Sequence, residues 1–120
     1  MSTVAWFQIG AEDVDAAERF YGGLFGWTFK ADPDAERPYR IAPPAGPGTI
    51  GGAVTATQGK RSSYAVFAVL VDDVADTVRR AEEAGAKVVQ PPHTTPAGLT
   101  HAHLLDPEGS EFAVFSQPKS

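Results

Sequence analysis

Residues 4–29, VAWFQIGAEDVDAAERFYGGLFGWTF, decide the fold, because they read as one strand–helix–strand unit that the chain then repeats. Val4–Ile9 is short, apolar and aromatic, the composition of a half-buried strand. Asp13 stands where an N-cap belongs, and Asp15 falls in the first helical turn, where a carboxylate suits the helix dipole. Val14, Ala17, Tyr21 and Leu24 recur at spacings of three and four, which makes one apolar helix face. Gly22-Gly23 and Gly26 are expected to stop the helix, and Trp27-Thr28-Phe29 to resume a strand.

Working outward, IGAEDVDAAERF is echoed by VLVDDVADTVRR, with Asp13 matching Asp73 at a shift of 60 residues, half the chain. The same shift pairs Phe7 with Phe67, Ile9 with Val69 and Val14 with Val74. After the helices, Gly26-Trp27-Thr28-Phe29 matches Gly85-Ala86-Lys87-Val88. Each half then offers two more strands: Pro38–Ile41 and Ile50–Thr57 in the first, Thr100–Leu105 and Glu111–Gln117 in the second. The second pair flanks Asp-Pro-Glu-Gly-Ser, a tight turn. Gln58–Ser63 reads as a polar linker, Pro91–Gly98 as a loop holding an exposed His93, and 118–120 as a frayed tail. The chain is expected to be a single α+β domain of two βαβββ modules, at about 4–57 and 64–117.

Composition excludes several classes. At 120 residues, with 42% hydrophobic and 21% charged side chains, the chain suits one globular domain. No run of about 18 apolar residues appears, nor a charged segment leading into an apolar one, so neither a membrane span nor a secretory signal is expected. The absence of cysteine removes disulfide and thiolate chemistry and fits a cytoplasmic protein. A net charge of −5 gives nucleic acid nothing to bind.

The two-module pattern resembles the vicinal oxygen chelate superfamily, which includes glyoxalase I, bleomycin-resistance proteins and extradiol dioxygenases. The residues that carry the resemblance are Asp13-Val14 with Phe20-Tyr21, Gly23–Trp27, Gly51-Gly52, Asp72-Asp73-Val74, Gly85–Val88 and Asp106–Phe112. The resemblance implies four curled strands per module, helices outside, concave faces lining a ligand cavity, and homodimers. It also implies four metal-ligand positions, on the first and last strand of each module. Here those positions are Trp6, Ala53, Val66 and Ala113, none of which carries a donor atom for a divalent metal. No cofactor is therefore expected at the family's usual place. A relocated His101/His103/Glu111 metal site is an alternative, all three being accepted ligands.

Strand alternation sorts the remaining side chains by face. Phe7, Ile9, Phe67 and Val69 should face the helices, and Trp6, Gln8, Thr55, Tyr64, His101, His103, Glu111 and Phe115 the concave side. Alignment of the two turns pairs Arg40 with His103 and so turns Arg40 inward as well. His103 with Glu111 is a candidate general acid/base pair, since a carboxylate beside an imidazole favours its protonated form. Trp6, Gln8, Arg40, Thr55, Tyr64, His101 and Phe115 are candidate ligand contacts, the aromatic ones by stacking on a flat ring. Two functions follow. One is a metal-free protein that binds, and could sequester, an aromatic antibiotic or secondary metabolite. The other is a lyase, isomerase or cyclase with His103 as its acid/base.

Overall fold

The computed structural model describes residues 2–118, and Lys119 and Ser120 of the expected frayed tail lie outside the described residues. Contacts divide the chain into two compact units: Trp6–Ala65, and Val66 onward together with the residues up to Ala5.

The first unit carries β1 (Thr3–Ala11, which begins in the other unit), α1 (Val14–Phe25), β2 (Lys30–Ala31), β3 (Tyr39–Ala42) and β4 (Gly51–Ala56). The strand order is β2-β3-β4-β1, with β4 parallel to β1 and antiparallel to β3. A parallel β1/β4 pair requires a long crossover, which α1 and the β2–β3 hairpin supply. Asp13 caps α1 as expected, its Oδ1 accepting from the Ala16 amide at 3.0 Å. Gly26, at φ 76°, closes the helix in the left-handed conformation and returns its amide to Gly22. Gly22 and Gly23 are themselves helical, so the stop is Gly26 alone.

The core of this unit is Val14, Val54 and Ala56, with Ile9, Ala11, Ala17 and Phe29 packed against it. Outside this small aliphatic core lies an aromatic cluster that stays exposed, with Phe25 at 56% and Trp27 at 37%. Trp27 stacks on Tyr21 at 5.8 Å between ring centroids, with Phe25 and Phe7 at 5.2 and 5.3 Å. Phe7 lies over Gly52, where an added Cβ would fall 2.2 Å from the ring. This cluster corrects the expected strand at Trp27–Phe29. The indole is held at the base of α1, and pairing begins only at Lys30. Aromatic content signals strands and ring stacking alike, and here the stacking prevails.

The other unit carries β5 (Tyr64–Leu70, whose first two residues belong to the first unit), α2 (Val74–Glu83), β6 (Lys87–Thr94), β7 (Thr100–Leu105) and β8 (Glu111–Ser116) in the order β5-β8-β7-β6. Asp73 caps α2 through its Oδ1 and the Asp76 amide, 3.0 Å. Val71, Val74, Val78, Ala102, Leu104 and Val114 form the buried core, with Val69, Val88 and Phe112 against it. Each fully buried aliphatic side chain of this size contributes about 1.5–3 kcal/mol. The β7–β8 hairpin is locked by Asp106, whose Oδ1 accepts from the amides of Glu108 and Ser110, while Gly109 takes φ 91°. The expected loop from Pro91 is corrected: β6 continues through Pro91-Pro92 to Thr94. Prolines survive there because β6 ends the strand order and the ladder breaks register beside them.

Each unit is thus a βαβββ module, and the chain is α+β. Among the described residues, no helix is long and apolar enough to cross a membrane.

Candidate functional site

In each unit the helix covers one side of the strands and leaves a second, concave side. In the first unit that side is set by register: Gln8 lies beside Ala53 and Ile41, and Gly10 beside Thr55 and Tyr39. The Gln8 side-chain amide donates to the Tyr64 hydroxyl at 2.9 Å. The Tyr64 ring occupies the space above Gly10, and the Arg61 guanidinium stands 3.9 Å from its centroid. The Trp6 indole, whose N–H can only donate, is a neighbour of the Tyr39 phenol. Burial holds the Tyr39 phenol above its ordinary range, and the neighbouring Trp6 N–H partly offsets that rise. Thr55 is buried under this layer, its hydroxyl 3.4 Å from the Pro38 carbonyl.

Trp6, Gln8, Thr55 and Tyr64 therefore stand on one face. Tyr39 joins them, and sequence reasoning missed it. Arg40 does not join them, which corrects its expected inward direction. It pairs with Asp15 at 3.0 Å and Glu18 at 3.1 Å on α1, and the Glu18 hydrogen bond, then Asp15, holds its guanidinium above the usual arginine range. The cause is one residue of register. His103 faces Ala113, the repeat of Ala53, and Ala53 faces Ile41. The position matching His103 is thus Ile41, and the one matching His101 is Tyr39.

The other unit has its own concave side. His103 lies opposite Ala113, Leu105 opposite Glu111 and His101 opposite Phe115. The Asp106 turn fixes this register and makes His103 and Glu111 diagonal neighbours, within reach of long side chains. Their side chains meet, His103 Nδ1 to Glu111 Oε2 at 2.9 Å, with His103 only 2% exposed. A carboxylate on Nδ1 selects the tautomer that donates there and makes Nε2 the nitrogen that exchanges a proton with a substrate. The His101 ring stands edge-on to His103, 6.3 Å between centroids. His101, His103, Glu111 and Phe115 thus share one face, and none is on the helix side.

The residues do not fit the metal of the related catalytic proteins. In the first unit its positions are Trp6 and the fully buried Ala53; in the other they are Val66 and Ala113, both buried. These side chains offer carbon and one indole N–H, not lone pairs. The relocated set is also not assembled. Among the described residues, no group of three or more His, Cys, Asp or Glu side chains is disposed to hold a metal, and His103 Nδ1 is committed to Glu111. A cleft of about 390 Å³ at the N-terminus of α1 is lined by Glu12, Asp13, Val14, Asp15, Pro38, Arg40 and Ala56. It is on the helix side, and Arg40 there is neutralised by Asp15 and Glu18.

Two βαβββ units in one chain define a protein of the vicinal oxygen chelate superfamily. The chain belongs to the glyoxalase-like domain family, which matches residues 6–115. It is 31% identical, over 92% of its length, to the anthracycline biosynthesis protein DnrV of Streptomyces peucetius, and spans 46% of that relative. Among solved structures, it is similar to a hypothetical protein from Bacillus halodurans, with a TM-score of 0.70, 12% identity and coverage of 99% and 96% of the two chains. It is also similar to methylmalonyl-CoA epimerase from Streptomyces coelicolor, with a TM-score of 0.67, 14% identity and 97% of each chain covered.

Proposed function

We propose that the protein binds a flat, oxygenated aromatic small molecule related to antibiotic production, without using a metal, and that it does so as a cytoplasmic homodimer. The observation that carries this reading is the layer of Trp6, Tyr39 and Tyr64 on one face, with the Tyr64 ring fixed by the hydrogen bond from Gln8 and packed over Gly10. Aromatic side chains fixed in this way lose little further freedom on stacking against a ligand. Phenol and amide groups at their edges suit a ligand bearing hydroxyl and carbonyl oxygens. The likeness to DnrV, an anthracycline biosynthesis protein that this chain spans by about half, supports an aromatic polyketide as ligand class. Sequestration of such a compound is one use of this binding.

A second reading makes His103 a general acid/base acting on that ligand, in a lyase, isomerase or cyclase step. The buried His103–Glu111 pair favours it. Here Nε2 would take a proton from carbon next to a carbonyl and return it at another position, while Glu111 stabilises the imidazolium. Titration with an anthracycline separates the two. Under the binding reading, Trp6→Ala weakens affinity by about 1–2 kcal/mol, roughly 5- to 30-fold, and His103→Ala changes it little. No loss in Trp6→Ala would overturn the proposed face. Under the catalytic reading, His103→Ala leaves affinity intact and lowers turnover about 100-fold or more.

A further inference from the structure

The buried His103–Glu111 pair raises a problem of proton supply. At 2% exposure, His103 has little direct access to water with which to reset its charge. The structure places two more imidazoles in line with it. His93 on β6 lies opposite His101 on β7, with ring centroids 5.6 Å apart, and His101 is 6.3 Å from His103. Exposure falls along the series, from exposed His93 through half-buried His101 to buried His103. The series ends on the Glu111 carboxylate.

The arrangement depends on a backbone irregularity. Gln90 faces His103, and an unbroken strand would place residue 93 on the opposite face from residue 90. The ladder shifts register between Gln90 and His93, across Pro91-Pro92, so that His93 comes to face His101. Bulges of this kind re-aim side chains and are enriched beside active sites. Phe115, opposite His101 on β8, adds an apolar neighbour to the middle of the series.

We infer that His93 and His101 form a proton path between solvent and His103. This inference rests on the reading of His103 as an acid/base group. A proton taken up at His103 Nε2 passes to a nitrogen of His101, which gives up its other ring proton to His93, and His93 releases one to water. The bond to Glu111 is unchanged, and each imidazole returns to its neutral state after tautomer exchange. The shorter His93–His101 separation brings ring nitrogens near direct reach, whereas the His101–His103 separation leaves about 4 Å or more between nitrogens, so that step passes through one water. His93 and His101 are positioning residues in this scheme, since neither need touch the ligand.

Nitrogen-15 relaxation dispersion on the ring nitrogens of the full chain reads the rate at which His103 gains and loses its proton, with no substrate required. His101→Gln is expected to slow that exchange tenfold or more, and His93→Gln severalfold. Added imidazole should restore the rate in both, which a purely structural role would not allow. An unchanged His103 exchange rate in folded His101→Gln, or in His93→Gln at the exposed end, overturns the path. So does slowing that imidazole cannot rescue. Fast exchange in the parent chain, slowed in the variants and rescued by imidazole, combined with no turnover of any carbonyl substrate tested, would retain the path and discard the catalytic reading alone.

Discussion

Replacing Gly10 with alanine probes the concave face of the first unit most sharply. The new Cβ would fall 2.0 Å from Tyr64 Cε2, 2.4 Å from Cδ2 and 2.6 Å from Cζ. Carbon atoms settle at about 3.5–4.0 Å, so the ring must be displaced by more than an ångström. Three costs follow. Overpacking costs about 1–3 kcal/mol. Loss of the Gln8–Tyr64 hydrogen bond adds about 0.5–1.5 kcal/mol, and loss of the Arg61–Tyr64 contact about 0.5–1 kcal/mol. Alanine regains about 0.5–1 kcal/mol over glycine within a strand. The expected net destabilisation is about 2–4 kcal/mol, a fall in Tm of roughly 8–16 °C for a chain of this length. Thermal and urea unfolding of Gly10→Ala, Tyr64→Ala and the double variant would measure it as a coupling. In the Tyr64→Ala background the added methyl should cost less than about 0.5 kcal/mol. An equal cost in both backgrounds would show that Tyr64 does not occupy this space.

Other expectations can be checked with the same assays. Because burial raises the Tyr39 phenol, the folded chain keeps that proton to higher pH than the unfolded chain does. Its contribution to stability should be complete below about pH 10 and lost as pH rises through the folded value; Tyr39→Phe should flatten this alkaline limb in unfolding measured against pH. Asp73→Ala removes the cap of α2 and should cost about 1 kcal/mol, about 4 °C in Tm. Glu111→Gln should preserve the fold while changing the His103 tautomer balance, visible as altered ring-nitrogen shifts; unaltered shifts would sever the pair from any catalytic role.

Much of this architecture was legible in the residues because it rests on short-range physics. Asp13 and Asp73 announce helix starts, and both cap as their sequence position implies. The alternation of Phe7 and Ile9 with Trp6 and Gln8 sorts β1 correctly, since a one-residue slip would bury the polar set. Asp106–Ser110 fixes a hairpin whose register brings His103 to Glu111. The failures arise where tertiary contacts override local signals. Trp27 looks like strand but is claimed by the aromatic cluster with Tyr21 and Phe25. Arg40 points to α1 because the Pro/Gly-rich loop before β4 hides one residue of register between the halves. The same hidden residue places Tyr39 opposite Thr55, a position only the aromatic-then-basic pair at the start of β3 signals. The two prolines before His93 signal a loop, and only the bulge carries β6 past them.

In the proposed function the ligand is held by aromatic side chains rather than by metal. Calorimetric titration of an anthracycline into the chain stripped of divalent ions, kept in excess chelator, tests this directly. Saturable binding that Trp6→Ala weakens about 5- to 30-fold is the predicted result. Binding that appears only after a divalent ion is added, or that is indifferent to Trp6→Ala, would contradict it.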